Sequence, residues 1–252
     1  MATIAENLQT LKDIKDDIKD AIIEKGVSVA DSDSFSTYAG KIGEINNVNE
    51  VGFPLYSGVK FSGSGWESAP DVTIVDDLYD GEYMFYSCPK LLTAPQWLSN
   101  INFYNIKRMF KECSSLTTLS NLNTTNVTNA QEAFYECSSL TNIPDMDCSK
   151  MQNVYGMFYG CYSVTSLGHL TGMGEGFVES SNYKDRELRL NYFNNLPSIY
   201  FNQLIDDLGV CPANANGGLY IPDSWWSPLS STEKESIWNM LYEEKNWAIY
   251  FD

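Results

Sequence analysis

Four cysteines recur at a nearly constant spacing and constrain the fold of this chain more than any other feature. Cys88, Cys113, Cys137 and Cys161 are separated by 25, 24 and 24 residues, with Phe three positions before each and Leu or Val three after. Such a period predicts a solenoid, in which each unit buries its apolar face only against its neighbours. Because equivalent repeat positions are not closely spaced pairs, we expect reduced, buried thiols rather than a zinc site.

The residues before each cysteine have helical spacing. In one unit Phe103, Ile106 and Phe110 lie at intervals of three and four residues, and the following units repeat the pattern. Apolar residues at these intervals predict one face of a helix. We therefore expect each unit to be a short helix ending near its cysteine, then an extended segment and a turn. The resulting fold class is an α/β solenoid of about 24-residue units.

The run LNTTNVTNAQEAFYECSSLTNIPDMD resembles the BspA-like leucine-rich repeats, a family of bacterial surface proteins and phage or prophage-encoded proteins. The chain departs from the family pattern at Ala133, which stands where Met precedes the Phe, and in the stretch CSKMQNV. The resemblance covers residues 58–170. It implies a leucine-rich-repeat scaffold used for adhesion or recognition, with no shared catalytic chemistry.

Residues 171–252 contain longer units. The stretches RELRLNYF, GGLYIPDSWW and NWAIYFD predict three strands at roughly 30-residue spacing, with helices over Ser198–Leu208 and Thr232–Glu243 between them. Ser230 and Glu233 form a capping-box pattern at the start of the second helix. We expect this segment to close the solenoid core as a terminal cap.

Residues 1–47 form a separate helical module, joined to the repeats by a linker at 48–57. Its apolar stripe has helical spacing: Ile4, Leu8, Leu11, Ile14, Ile18 and Ile22. Gly26 is expected to end this helix, and Ser34 to open a second short one. A lone helix of this length cannot bury its stripe, so the helix must pack on its own second helix, on the repeats or on copies of itself.

The stretch IKDAIIEKGVSVADSDSFSTYAGKIGEI is similar to a segment near the N-termini of phage and prophage tail or fibre proteins. This resemblance implies that the N-terminal module attaches the chain to other virion proteins or oligomerises it. The unburied stripe of Leu8, Leu11, Ile18 and Ile22 leads us to expect a homotrimer.

The extended segments carry candidate ligand-binding residues. Six polar residues lie beside their buried positions: Thr117, Thr118, Thr141, Asn142, Thr165 and Ser166. Such a row could bind the hydroxyl groups of a glycan or form an ordinary solvated strand face. Trp225 and Trp226, adjacent in a proline-flanked turn, could likewise stack on a sugar or fill the cap.

Charge and motifs exclude several classes of function. The formal net charge of −17 argues against a nucleic-acid partner. No apolar run is long enough to span a membrane, and the polar N-terminus is unlike a signal peptide. His169 is the only histidine, and no nucleophile-elbow, Walker or zinc-protease motif is present. We expect no enzyme activity, cofactor or metal, although the many carboxylates leave a glycosidase pair open.

These observations favour a fibre-like structural protein of a bacteriophage. Its N-terminal helices would anchor it in the virion, and its repeats would contact glycan or protein on the host surface. A bacterial cell-surface adhesin of the BspA-like kind is the alternative, and a cytoplasmic protein-interaction scaffold is a third possibility.

Overall fold

The computed structural model describes residues 4–24, 29–30, 53–55, 57–70, 72–74, 78–119, 122–179, 182–193 and 195–251. The chain separates into two compact units, Met1–Gly52 and Phe53–Asp252. The second helix expected at Ser34 and most of the linker expected at 48–57 lie outside the described residues.

The first unit contains helix α1, Ile4–Glu24, as the apolar stripe predicts. Ile14 is 44% exposed, Ile18 is half-buried and Ile22 is fully buried. The side chains of Ile4, Leu8 and Leu11 lie outside the described residues. Ile22 is therefore covered within a single chain, whereas Ile14 remains available to a partner. No described helix is long and apolar enough to cross a membrane.

The repeats are built from very short parallel strands. Their bounds are β1 Phe53–Leu55, β2 Val72–Ile74, β3 Tyr79–Asp80, β4 Phe103–Asn105, β5 Asn142–Ile143, β6 Met146–Asp147, β7 Ser166–Leu167 and β8 Leu170–Thr171. Strand β5 pairs with β7 and β6 with β8, each residue opposite the one 24 positions later. Isolated bridges continue this register, as where Asn129 pairs with both Asn105 and Asn153. A short 3₁₀ helix, Gln96–Asn100, follows one unit.

The helices expected before the cysteines are not present, so that prediction is wrong. Around Phe110 the chain forms β4 and then consecutive tight turns. The Phe110 amide donates to the carbonyl of Ala133 in the next unit, and the Phe134 amide donates likewise to Met157. Since these amides bond to a neighbouring unit, they are not available for helical bonds. Turns of about four residues give the same apolar spacing as a helix.

Aromatic rings stack through the centre of the repeats. Phe85, Phe110, Phe134 and Phe158 lie nearly parallel, with successive centroids 5.1, 5.8 and 5.7 Å apart. Phe61 extends the stack by one further unit, with its ring centroid 5.3 Å from that of Phe85. Its unit has no cysteine at the repeat position. All five rings pack in one continuous hydrophobic cluster, and the four in the cysteine units are buried.

The cysteines form a second column beside the rings. The Cys137 thiol donates to the carbonyl of Phe110 at 3.1 Å, and the Cys161 thiol donates to that of Phe134 at 3.2 Å. Burial raises the pKa of the Cys137 thiol well above its ordinary value. Each thiol thus joins its own unit to the preceding one as a buried hydrogen-bond donor.

We expect the cysteines of the native protein to resist alkylation, because all six are free and buried. After denaturation without reductant, mass spectrometry should find six alkyl groups on each chain. Linked pairs among Cys88, Cys113, Cys137 and Cys161 would contradict the thiol column.

The C-terminal strands and helices agree with the sequence prediction. Strands β9 Glu187–Arg189, β10 Gly217–Ile221 and β11 Trp247–Phe251 form a parallel sheet with β10 in the middle. A 3₁₀ turn, Tyr183–Arg186, precedes β9. The helices are α2 Ile199–Asp207, α3 Asp223–Trp226 and α4 Ser231–Trp238, and a π-helix, Asn239–Glu244, continues α4. The predicted capping box of Ser230 and Glu233 is confirmed.

Candidate functional site

Each cysteine unit holds two residues in the left-handed backbone region, one directly before its cysteine and one five positions before it, and the second of these sets faces outwards. The residues of this second set are Tyr83, Arg108, Glu132 and Gly156, with φ angles of 60°, 55°, 53° and 62°. Residues other than glycine seldom adopt this conformation. Here the amides of the first three donate to carbonyls of the next unit, at 3.1, 2.9 and 2.8 Å. The pairing of units therefore holds these residues in place and projects their side chains outwards in one row.

Three side chains of this row form a hydrogen-bonded chain. The Arg108 guanidinium donates to the Tyr83 hydroxyl and, through Nε, to Glu132 Oε2 at 3.1 Å. Lys111 Nζ donates to the same carboxylate oxygen. Burial of Glu132 raises its pKa, but the hydrogen bonds and charges of Arg108 and Lys111 outweigh this effect and lower it below the ordinary value. The row is thus an ionised network at neutral pH.

The row of side chains stops at Gly156, and a groove opens there. Its volume is about 380 Å³, within the range of small-molecule sites. Glu132 forms one end, and tyrosines from three successive units form much of the wall. These tyrosines are Tyr135, Tyr155, Tyr159 and Tyr192. A side chain at position 156 would occupy this space, since a Cβ there would lie 3.3 Å from Glu132 Cγ and 3.7 Å from Tyr135 Cδ2.

The tyrosine rings are held rigidly in a column. Lys111 Nζ lies 4.3 Å from the centroid of Tyr135, whose ring stacks on Tyr159 with centroids 4.6 Å apart. Tyr192 lies 4.5 Å from Tyr159 at a tilt of 58°. Burial and the neighbouring Tyr159 raise the pKa of Tyr192 to about 12. The Tyr192 hydroxyl therefore stays protonated at neutral pH and can donate a hydrogen bond.

The groove is locally basic although the chain is acidic. Lys111, Lys184 and Arg189 line it, against the single carboxylate of Glu132. Arg189 donates to Glu187 Oε2 at 3.0 and 2.8 Å and lies 3.8 Å from the centroid of Tyr220. Lys184 is exposed and forms no ion pair with any residue in the described part of the chain. The groove thus holds one cation that no carboxylate among the described residues neutralises.

A second hollow, of about 590 Å³, lies around Trp97 and the 3₁₀ helix that contains it. Its lining includes Ala94, Pro95 and several small polar residues but no charged side chain. The Trp97 indole is already engaged, donating from Nε1 to the carbonyl of Pro70 at 2.9 Å. The tyrosine groove offers more varied recognition chemistry, and we take it as the candidate site.

We expect Glu132→Gln to lower the free energy of unfolding by about 1–2 kcal/mol at pH 7, since charge-assisted hydrogen bonds are lost. A carboxylate whose pKa is lowered by folding stabilises the protein above its unfolded pKa of about 4.3, and this contribution is lost as pH falls through the folded pKa. Urea denaturation at pH 7 and pH 3 should therefore show a smaller difference between variant and wild type at pH 3.

Glu82→Gln is the matched control for Glu132→Gln. Glu82 pairs with Lys107 at 3.0 Å, but both side chains are 27% exposed, so we expect a loss below about 1 kcal/mol. Equal losses in the two variants would show that the network around Glu132 has no special role.

The predicted polar row is present on the surface, but its threonine hydroxyl donors are used within the protein. Thr141 Oγ1 donates to the carbonyl of Thr117 at 3.0 Å, and Thr165 Oγ1 donates to that of Thr141 at 3.3 Å. Thr117 Oγ1 donates in the same way to Leu92. Thr118 and Asn142 pair as a bridge, and Ser166 accepts from Tyr200 Oη at 3.4 Å. These contacts give the row a part in joining the units.

The tryptophan pair fills the cap. Trp225 is 3% exposed, and its Nε1 donates to the carbonyl of Leu196 at 3.1 Å. Trp226 is half-buried, with its ring centroid 5.1 Å from that of Phe251. The prediction that Trp225 stacks on a ligand is therefore wrong, because its ring is buried. Trp226 keeps only part of its ring accessible.

The single histidine pairs with a carboxylate at the junction of repeats and cap. His169 Nδ1 lies 2.8 Å from Asp207 Oδ1, and this hydrogen bond raises the pKa of the imidazole. Asp207 also accepts from the Leu170 amide at 3.2 Å. In the described ranges no group of three or more His, Cys, Asp or Glu side chains is placed to hold a metal ion.

Sequence reasoning missed the tyrosine groove. Tyr135 and Tyr159 stand two positions before their cysteines, so the repeat alignment already placed them in one column. Gly156 is the one glycine in the column of Tyr83, Arg108 and Glu132. The sequence alone shows that a column of large side chains is interrupted at Gly156. That this column points outwards depends on the left-handed turns, which the sequence does not show.

Comparison with known proteins gives one match. Residues 69–169 match the family described as Mycoplasma protein of unknown function, DUF285. The matched segment contains all four cysteine units and most of the groove, and it is consistent with the BspA-like resemblance. The match does not include the N-terminal module. Comparisons with curated proteins and with solved structures gave no match.

Proposed function

We propose that this chain is a non-enzymatic surface-repeat protein that binds its ligand in the groove at Gly156. The repeat units stack as a solenoid of short parallel strands and tight turns, and this scaffold fixes the tyrosine column. Parallel pairing at 24-residue offsets and the continuous phenylalanine stack support the solenoid. The similarity of residues 69–169 to a repeat family supports a recognition scaffold.

The observation that carries this proposal is the break in the outward row. Tyr83, Arg108 and Glu132 fill successive left-handed positions, and Gly156 leaves the fourth without a side chain. The walls beside this gap are rigid phenols and cations, the groups that interfaces use most for recognition. The fold does not need glycine here, because three other residue types occupy the same backbone position.

The N-terminal module is proposed to attach the protein to its particle and to form a homotrimer. The similarity of residues 18–45 to phage fibre segments supports a virion location. The alternative is a bacterial cell-surface adhesin, and the similarity of residues 69–169 to a repeat family supports either role.

Light scattering of the whole chain at micromolar concentration tests the trimer. We expect a mass of about three times 28.4 kDa. Ile14 and Ile23, 44% and 45% exposed, are the described apolar residues of α1 that a helical partner would cover. A monomer at this concentration would contradict the trimer and favour the cell-surface adhesin over the virion protein.

A glycan array tests ligand binding in the groove, with Gly156→Gln as the blocking variant. Glutamine adds a neutral side chain to the gap at a position whose equivalents carry Tyr83, Arg108 and Glu132. We expect the wild type to bind a subset of glycans and the variant to lose at least about tenfold in affinity, roughly 1.4 kcal/mol. Thr165→Ala, which changes the polar row instead, is the control and should bind as the wild type does. Wild-type binding that Gly156→Gln leaves unchanged would contradict the proposal.

A further inference from the structure

The tyrosine groove combines an unneutralised cation with a rigid set of phenols. Lys184 lines the groove with its charge unpaired by any described carboxylate, whereas Lys111 and Arg189 pair with Glu132 and Glu187. Among the described lining residues Glu132 is the one carboxylate, and Arg108 and Lys111 already neutralise it. An anionic group in the groove would therefore be attracted to Lys184 although the chain as a whole is acidic.

The walls favour hydroxyl-bearing ligands over extended peptides. The amides of Glu132, Phe134 and Glu136 all donate to carbonyls of the next unit, at 2.8, 2.9 and 2.7 Å. These backbone groups are consequently not available to pair with an added peptide strand. The side chains that line the groove offer phenol hydroxyls, ring edges and ammonium groups, which suit sugar hydroxyls and a carboxylate.

We propose that the groove at Gly156 binds an acidic sugar, with its carboxylate at Lys184 and its ring hydroxyls among Tyr155, Tyr159 and Tyr192. This inference rests on the proposed function and names the ligand class of the same site. The carboxylate neutralises Lys184, and the phenols provide donors and acceptors in fixed positions. A neutral sugar gains only the second set of contacts.

Calorimetric titration of the whole protein with trigalacturonic acid tests the proposal, with maltotriose as the neutral trisaccharide and sodium sulfate as the simple anion. We expect trigalacturonic acid to bind at least about tenfold more tightly than maltotriose. Lys184→Gln should weaken this binding about 3- to 10-fold without changing the melting temperature, because the side chain is exposed and unpaired. Lys90→Gln, which removes the same charge from an exposed position outside the groove, should leave it unchanged.

The other outcomes each overturn the proposal in a different way. Equal binding of both trisaccharides, lost in Gly156→Gln, would reject the acidic class and keep the groove as the ligand site. Sulfate binding as tight as that of trigalacturonic acid would indicate an anion site without sugar recognition. Acidic binding that Gly156→Gln or Lys184→Gln leaves intact would place it elsewhere. If neither trisaccharide binds while the array shows a groove-dependent ligand, the acidic-sugar inference fails and the proposed function stands.

Discussion

Phe134→Ala is expected to lower the free energy of unfolding by about 3–5 kcal/mol, as large-to-small changes of fully buried aromatic residues do. Phe134 is completely buried between Phe110 and Phe158, with ring centroids 5.8 and 5.7 Å away. The variant leaves a cavity in the middle of the stack. Because each unit packs only on its neighbours, no other element can move in to fill it. Urea denaturation followed by tryptophan fluorescence measures the loss.

Tyr104→Ala is the matched control for the phenylalanine stack. Tyr104 also belongs to a repeat unit and is aromatic, but it is 39% exposed. Its carbonyl, which accepts from Thr128, is kept in the variant. We expect a loss below about 1 kcal/mol. Similar losses for Phe134→Ala and Tyr104→Ala would show that the stack is not the core of the fold.

Gly168→Val is expected to destabilise the protein by about 3 kcal/mol, at the upper end of the range for overpacking. A Cβ at this position would lie 2.5 Å from the backbone nitrogen of Asp145 and from the carbonyl carbon of Pro144. The Gly168 amide donates to the carbonyl of Ile143 at 2.7 Å, which fixes the close approach of the two units. The clash is with backbone, so a change of rotamer cannot relieve it.

Gly65→Val is the control for Gly168→Val, because nothing lies within 4 Å of a Cβ at Gly65. We expect it to change the free energy of unfolding by less than about 0.5 kcal/mol. Thermal denaturation of the two variants separates a general effect of losing glycine from the specific contact between units. An unchanged melting temperature for Gly168→Val would contradict the close packing described.

Much of the fold could be predicted because a repeat brings equivalent residues together. The spacing of Cys113, Cys137 and Cys161 predicted buried, unpaired thiols in one column, and the structure has them. The strands and the capping box of the C-terminal segment were also predicted correctly, because turn and cap residues mark their ends.

The helices within the repeats could not be predicted correctly from spacing alone. Phe103, Ile106 and Phe110 have the intervals of a helix face, but the same intervals arise when successive tight turns each return one residue to the core. Whether a helix or a series of turns forms depends on the hydrogen-bond partners of the amides. For Ile106 and Phe110 these partners are Asn129 and Ala133 in the next unit. The pattern within one unit does not contain that information.

The candidate site was harder to predict because it depends on the direction of side chains. The repeat register places Thr141 in a polar row and the sequence places Trp225 in a turn, but a backbone contact uses the hydroxyl of the first and the cap buries the second. The groove depends on left-handed turns at Glu132 and Gly156, and glycine favours such a turn whereas glutamate gives no local indication of one. Only the stacking of the repeat units shows that the missing side chain at Gly156 opens a groove.

The ring signals of labelled tyrosines during titration with trigalacturonic acid test the central claim most directly. If the groove at Gly156 binds the ligand, NMR should show shifts for Tyr135, Tyr155, Tyr159 and Tyr192 and unchanged signals for Tyr104 and Tyr242, which lie outside the groove. Shifts confined to tyrosines outside the groove, with the four groove signals unmoved, would contradict it.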